Sequence, residues 1–339
     1  MSKKDAILFW NLSSKYLNHH LKVIRQVSIH TIESYRSSLN HYIYYLETVE
    51  LFKRKNITFK NFDKETLRNY QEWMMTEKKW SPKTCNLRMT AIRALLEYAA
   101  QEELWITPLY NNARDIVNVK TINHPIEYFE AHELVALLAA PKIHKKTDRR
   151  NRMILILMYD TAARVSEIRH IKLSDLHLDA QVPYLTLLGK GRKYRNVPLM
   201  GKTSKHIKHF ISEFHGDDAK VDRPLFYSKI HNQLHELSSD TLENMIKRYA
   251  DMCRDRGQSM PEHVHCHMLR KTRAMDLYQE GVPLPHIQQL LGHENISTTS
   301  GFYAFVTLDV LSKAMETVSP DDGAKDWHDE DILNKLYKL

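Results

Sequence analysis

A chain of 339 residues is long enough for two domains with cores of their own, and 49 Lys/Arg against 41 Asp/Glu give it a formal charge of +8. That balance permits a polyanionic partner without proving one. Three scattered cysteines, Cys85, Cys253 and Cys266, exclude a disulfide framework. No apolar run has the length of a membrane span, and no signal-like segment follows Met1-Ser2-Lys3-Lys4, so a cytoplasmic protein with no membrane partner is expected.

Charge is unevenly spread. Residues 1–113 hold 17 Lys/Arg and 11 Asp/Glu, whereas the tail 321–339 holds 6 acids and 3 bases. A basic body suits DNA, and an acidic tail suits protein. Residues 5–110 read as helices throughout. Ile7-Leu8-Phe9 and Tyr16-Leu17 open the first, and Ile32, Tyr35, Leu39, Ile43 and Leu46 recur near a 3.6 period over 31–51. Asp63 is an N-cap candidate for a third helix over 63–78, with Leu67, Tyr70 and Met74 on one stripe. Ser81-Pro82 starts a fourth, with Ser at N-cap and Pro at the first helical position. That helix is expected to bury Leu87, Ala91, Leu95 and Ala99. Lys83, Arg88 and Arg93 then lie off the stripe, either as a solvated face or as a DNA-contacting one.

The segment from Pro108 to Pro125 lacks periodicity and carries Asn111-Asn112, Asn118 and Asn123, the pattern of a linker. The expected division is a helical domain 1–110, a linker 111–125, a second domain 126–318 and an acidic linker with a docking helix over 319–339. In the second domain, 130–138 and 153–158 read as helices, the latter almost wholly apolar. Strand-like runs at 181–188 and 194–199 flank a Gly189-Lys190-Gly191 hairpin, and helical segments follow near 239–257, 267–280, 284–291 and 307–317. The fold class expected is mainly α, a four-helix N-terminal domain plus a mostly helical domain with a small antiparallel sheet. In the tail, Ile332, Leu333, Leu336 and Leu339 form an apolar stripe too short to hold alone in water, so it must dock on its own body or on a neighbouring subunit.

Several side chains carry chemistry. Arg164 and Glu167 sit at i and i+3, where a surface ion pair is the plain reading. Lys190 lies on a Gly-flanked turn. His267 and Arg270 share a helix face, Gly292 is a helix stop that leaves His293 beyond it, and Tyr303 follows ten residues later. A guanidinium matches phosphate oxygens, and an imidazole exchanges protons near neutral pH. In chain order, Arg164, Lys190, His267-x-x-Arg270, His293 and Tyr303 resemble the catalytic set of the tyrosine recombinases, the integrase family with Cre-like and Xer-like members. The resemblance covers roughly residues 10–315.

The resemblance implies a site-specific recombinase of the simple type, without an arm-binding domain. It would cleave and rejoin double-stranded DNA through a 3′-phosphotyrosyl intermediate and a Holliday junction. It would act as a tetramer on two sites for a mobile element, joined to itself through the C-terminal helix and needing no cofactor or metal. Whether accessory DNA-bending proteins take part is left open. By position, Arg164 and Arg270 match the phosphate-binding arginines, Lys190 the general acid, His267 and His293 the two histidines, and Glu167 the acid supporting the first arginine. His267 is our candidate base for the tyrosine. Lys193 is a weaker second choice for the lysine and a DNA-contact candidate beside Lys83, Arg88 and Arg93.

One departure stands out. The family usually places its tyrosine at the position of Phe302, so Tyr303 as nucleophile requires one extra loop residue, at Gly301. The alternative is a catalytically inactive DNA-binding relative. A milder departure is Ala162, where the family often has glycine. A type IB topoisomerase is a further rival. His263-Val264-His265-Cys266-His267 could suggest zinc, but no second ligand cluster accompanies it in the sequence.

Overall fold

The computed structural model describes residues 3–122, 126–189, 191, 193–216, 220–231 and 233–292. The chain divides into two compact units, Met1–His124 and Pro125–Leu339.

The first unit is helical. Helix α1 (Lys3–Lys15) runs on as a π-helical stretch (Tyr16–Ile24), followed by α2 (Ile29–Thr48), α3 (Lys64–Thr76), α4 (Pro82–Glu102) and α5 (Thr107–Arg114). Local chemistry sets the starts. The Asp63 carboxylate accepts from the Glu65 and Thr66 N–H groups at 3.0 Å each, and Ser81 Oγ accepts from Thr84 N–H at 3.3 Å. Each such cap contributes about 1 kcal/mol. Phe9, Tyr42, Tyr45, Phe59, Phe62 and Tyr70 form the buried aromatic centre. Helix α5 lies where the sequence reads as linker. Its signal is weak because only Ala113 is buried on it, while Ile116 beyond it also joins the core.

In the second unit, α6 (Ala131–Ala139), α7 (Lys146–Thr161) and α8 (Val165–Arg169) precede a three-stranded antiparallel sheet of β1 (Leu176–His177), β2 (Tyr184–Leu188) and β3 (Tyr194–Pro198). Then come α9 (Gly201–His215), the hairpin β4 (Tyr227–Ile230) and β5 (Gln233–Glu236), α10 (Ser239–Arg254), α11 (His267–Gln279) and α12 (Leu284–Leu291). Helix α7 is the hub: Met153, Ile154, Leu155, Leu157 and Met158 are buried in the main core. A satellite cluster of Ala162, Ala274, Met275, Ile287 and Leu291 packs the end of α7 against α11 and α12. The β4–β5 hairpin is absent from the sequence reading because every side chain of β5 is exposed, so no alternating pattern marks it. The segments 307–317 and 319–339 lie outside the described residues. Among the described residues no helix is long and apolar enough to cross a membrane, and Cys85, Cys253 and Cys266 are free and buried.

Candidate active site

Three chain segments end at one place. Helix α7 stops at Ala162, which is fully buried in a left-handed conformation (φ 50, ψ 28). That conformation costs a residue with a Cβ about 1–2 kcal/mol, a cost the glycine often found here in the family would avoid. The chain then extends through Arg164, the N-cap of α8 (φ −72, ψ 152). Glu167, one turn on, accepts from the Arg164 backbone N–H at 2.7 Å and from its Nη1 at 2.8 Å. With the Glu167 side chain 2% exposed, this is no solvated surface pair.

A second guanidinium, passed over in the sequence, completes the coordination of that carboxylate. Arg195, on β3, donates from Nη1 to Oε1 and from Nη2 to Oε2, each at 2.7 Å. Burial on its own would raise the Glu167 pKa. The hydrogen bonds from Arg195 and from the Arg164 backbone, with the charges of both arginines, outweigh it and hold the group below the usual carboxylate range.

Arginines also gather at the C-terminal end of α12. Arg195 Nε donates to Leu290 O at 3.0 Å, Arg270 Nη2 to Leu291 O at 2.6 Å, and Arg164 Nη2 to Gly292 O at 3.2 Å. The last carbonyls of a helix lack intrahelical donors and carry the negative end of its dipole, so consecutive carbonyls here make an anchoring edge for cations. Arg270 is 1% exposed and also donates from Nη1 to Ala162 O at 2.7 Å, which ties the end of α7 to the end of α12. Burial, then the charges of Arg164 and Arg195 opposed by Glu167, lower its pKa to about 9, so it stays cationic at neutral pH.

Two glycines make room for this cluster. Gly292 has φ +61, and a Cβ there would lie 3.1 Å from Arg195 Cδ and Nη1. A Cβ on Gly189 would lie 3.3 Å from the same Nη1. Backbone from two different segments thus approaches one guanidinium.

His267 opens α11 and keeps an exposed edge, one turn before Arg270. Protein packed about its ring, and then the positive charges of Arg270, Lys271, His265 and Arg164, lower its pKa to about 4. The imidazole is therefore neutral at pH 7. The structure brings Arg164, Glu167, His267 and Arg270 together. Lys190, His293, Phe302 and Tyr303 lie outside the described residues. Their described neighbours are well held: Gly189 N–H donates to Lys193 O at 2.8 Å, and Gly292 is part of the anchoring edge.

The DNA-contact candidates separate. Lys83 and Lys193 are exposed. Arg88 is half-buried, its guanidinium 4.1 Å from the centre of the Trp80 ring. Arg93 donates to Ala113 O at 3.0 Å, Asn118 Oδ1 at 2.8 Å and Ile116 O at 2.7 Å, so it staples the segment after α5 rather than standing on a solvated face. Leu87, expected inside, is 55% exposed, while Ala91, Leu95 and Ala99 are buried. The helix turns its buried stripe toward Cys85, Met89 and Ile92 instead. In the histidine-rich run, the His265 and His267 rings are 6.5 Å apart, and among the described residues no three potential ligands are gathered for a metal.

A carboxylate gripping two arginines, a third arginine one helical turn from a neutral histidine, and a helix end that anchors all three guanidiniums make a cationic cluster suited to a phosphate group, as an enzyme that breaks and rejoins DNA strands requires. Comparison with known proteins agrees. The chain belongs to the phage integrase family: that family's profile matches residues 127–307, and the phage integrase SAM-like domain matches residues 9–116. It is 29% identical over 301 residues to tyrosine recombinase XerC of Staphylococcus haemolyticus, covering 88% of this chain and 94% of that one. Its fold is shared with the Tn1549 transposon integrase in complex with transposon right end DNA (TM-score 0.69, 17% identity, 94% of this chain and 100% of that one). It is shared too with the XerH site-specific recombinase bound to a palindromic difH substrate (TM-score 0.66, 22% identity, 89% and 84%).

Proposed function

We propose that this chain is a cytoplasmic site-specific DNA recombinase whose nucleophile is Tyr303. It works as a tetramer on two duplex sites, through a Holliday junction, in the service of a mobile element. The observation that carries the reading is the set of three arginines held on the Leu290, Leu291 and Gly292 carbonyls, directly before His293 and a short way before Tyr303.

The chemistry follows from charge. Tyr303 Oη attacks phosphorus, the bond from phosphorus to the 5′ oxygen breaks, and the 3′ phosphate stays on the tyrosine. The leaving 5′ oxygen takes its proton from Lys190. Rejoining reverses these steps with a 5′ hydroxyl of another strand, so bond energy is kept and no cofactor is needed. Negative charge grows on the non-bridging oxygens in the transition state, where Arg164, Arg270 and His293 meet it. Each preorganised donor of this kind contributes on the order of 3 kcal/mol. His267, neutral at pH 7, takes the Tyr303 proton. Burial and then the neighbouring cations hold its pKa near 4, and bound phosphate offsets the cationic part, which strengthens it as a base once DNA is in place.

The test is a nicked suicide duplex carrying the site that the protein itself selects from random-sequence DNA. Wild type and Phe302→Tyr should form a covalent adduct, and Tyr303→Phe should form none. An adduct that persists in Tyr303→Phe removes the nucleophile assignment. A wild type that binds the site and never forms an adduct leaves only a DNA-binding role. Supercoil relaxation by monomers without a defined site would favour topoisomerase chemistry.

A further inference from the structure

We infer that Arg195 is a positioning residue for strand cleavage, a role that rests on the recombinase reading above. It locks Glu167, and through it Arg164, onto the same helix edge that holds Arg270. Its side chain is 12% exposed and lies within the site's frame. All three guanidinium nitrogens are engaged: two form parallel bonds to the two oxygens of Glu167, and Nε reaches Leu290 O. Only a planar fork can satisfy a carboxylate in two places while a third nitrogen reaches a separate acceptor, and a lysine ammonium cannot.

Arg195 also belongs to a third segment. It pairs with Leu187 across the β2–β3 ladder, in the hairpin whose two strands bracket Lys190 in the sequence. One side chain therefore joins the hairpin of the general acid, the helix of a phosphate-binding arginine and the helix end before His293. The close approach of Gly189 and Gly292 to its guanidinium independently marks a junction that both backbones are shaped around. Without Arg195, the Glu167–Arg164 pair loses its tie to Leu290 O and is left with the single bond from Arg164 Nη2 to Gly292 O at 3.2 Å. A displacement near 1 Å at a reacting group slows chemistry about a hundredfold.

The experiment is single-turnover cleavage of the nicked suicide duplex as a function of protein concentration. The proteins are wild type, Arg195→Lys, Arg195→Met, Glu167→Gln and the double variant Arg195→Met/Glu167→Gln, each checked by thermal unfolding. For Arg195→Met the maximal rate should fall about a hundredfold with the half-saturating concentration unchanged, and for Arg195→Lys on the order of tenfold. The double variant should be no slower than its slower parent, because both changes break one unit. If Arg195→Met does not fold, Arg195→Lys, which keeps charge and bulk, supplies the readout. An unchanged maximal rate, a loss confined to half-saturation, or losses that multiply in the double variant would each overturn the role. A wild type without adduct removes the recombinase reading and this inference with it, whereas an active wild type matched by both Arg195 variants removes this inference alone.

Discussion

Arg93 is where two readings of one residue part most sharply. Replacing it with alanine removes donors to Ala113 O, Ile116 O and Asn118 Oδ1 at 3.0, 2.7 and 2.8 Å. Hydrogen bonds from a charged donor contribute about 1.5–3 kcal/mol each when buried. Arg93 is only half-buried, so water replaces part of each bond, and the sum is expected near 2–3 kcal/mol. The loss should act locally, on the anchoring of α5 and the strand of chain behind it. Amide hydrogen exchange over 107–119 in the full chain should then quicken about 30- to 150-fold, while DNA affinity at 25 °C stays within about twofold of wild type. Lys83→Ala should do the reverse, weakening DNA binding and leaving the exchange of 107–119 alone. Wild-type exchange in Arg93→Ala together with weakened DNA binding would refute the staple and restore Arg93 to the DNA-contacting face.

The remaining predictions concern the second unit. The His267 ring, followed by NMR in the free protein, should titrate near pH 4, with the midpoint rising when duplex DNA is added; a free-protein midpoint above about 6 would contradict the burial and cationic packing described here. Because the folded chain binds that proton more weakly than the unfolded chain does, the His267 contribution to stability should decline as pH falls from about 6.5 to about 4. Gly292→Ala, strained at φ +61 and 3.1 Å from Arg195, should lower stability by about 2 kcal/mol and slow cleavage more than it weakens DNA binding. Wild-type cleavage in that variant would show that the approach to Arg195 is relaxed in solution.

The sequence revealed the helical class of both units because capping residues and apolar periods agree there: Asp63, Ser81 and the Leu67/Tyr70/Met74 stripe all occur where the helices need them. It also marked Arg164, Glu167, His267 and Arg270, which stand in recognisable order and which the fold brings together. Other features depend on contacts made far along the chain. Arg195 lies in an ordinary-looking strand, and nothing nearby marks it; its partners Glu167 and Leu290 are 28 and 95 positions away. The available clue was a pair of distant glycines, Gly189 and Gly292, whose shared neighbour only folding reveals. Arg88 and Arg93 were ambiguous for a similar reason, since a cation off the buried stripe can face water or can reach an aromatic ring and backbone carbonyls.

The acceptors at the end of α12 are main-chain oxygens, which every amino acid supplies. Side chains at 290 and 291 can therefore drift over generations, within the limits of packing, without deleting what the guanidiniums hold. Vulnerability shifts to the donors and to Gly292, which sets the path of the backbone. Tolerance to change along this stretch should accordingly be lopsided, generous where the atoms that matter are common to all residues and strict at the one position that has to bend.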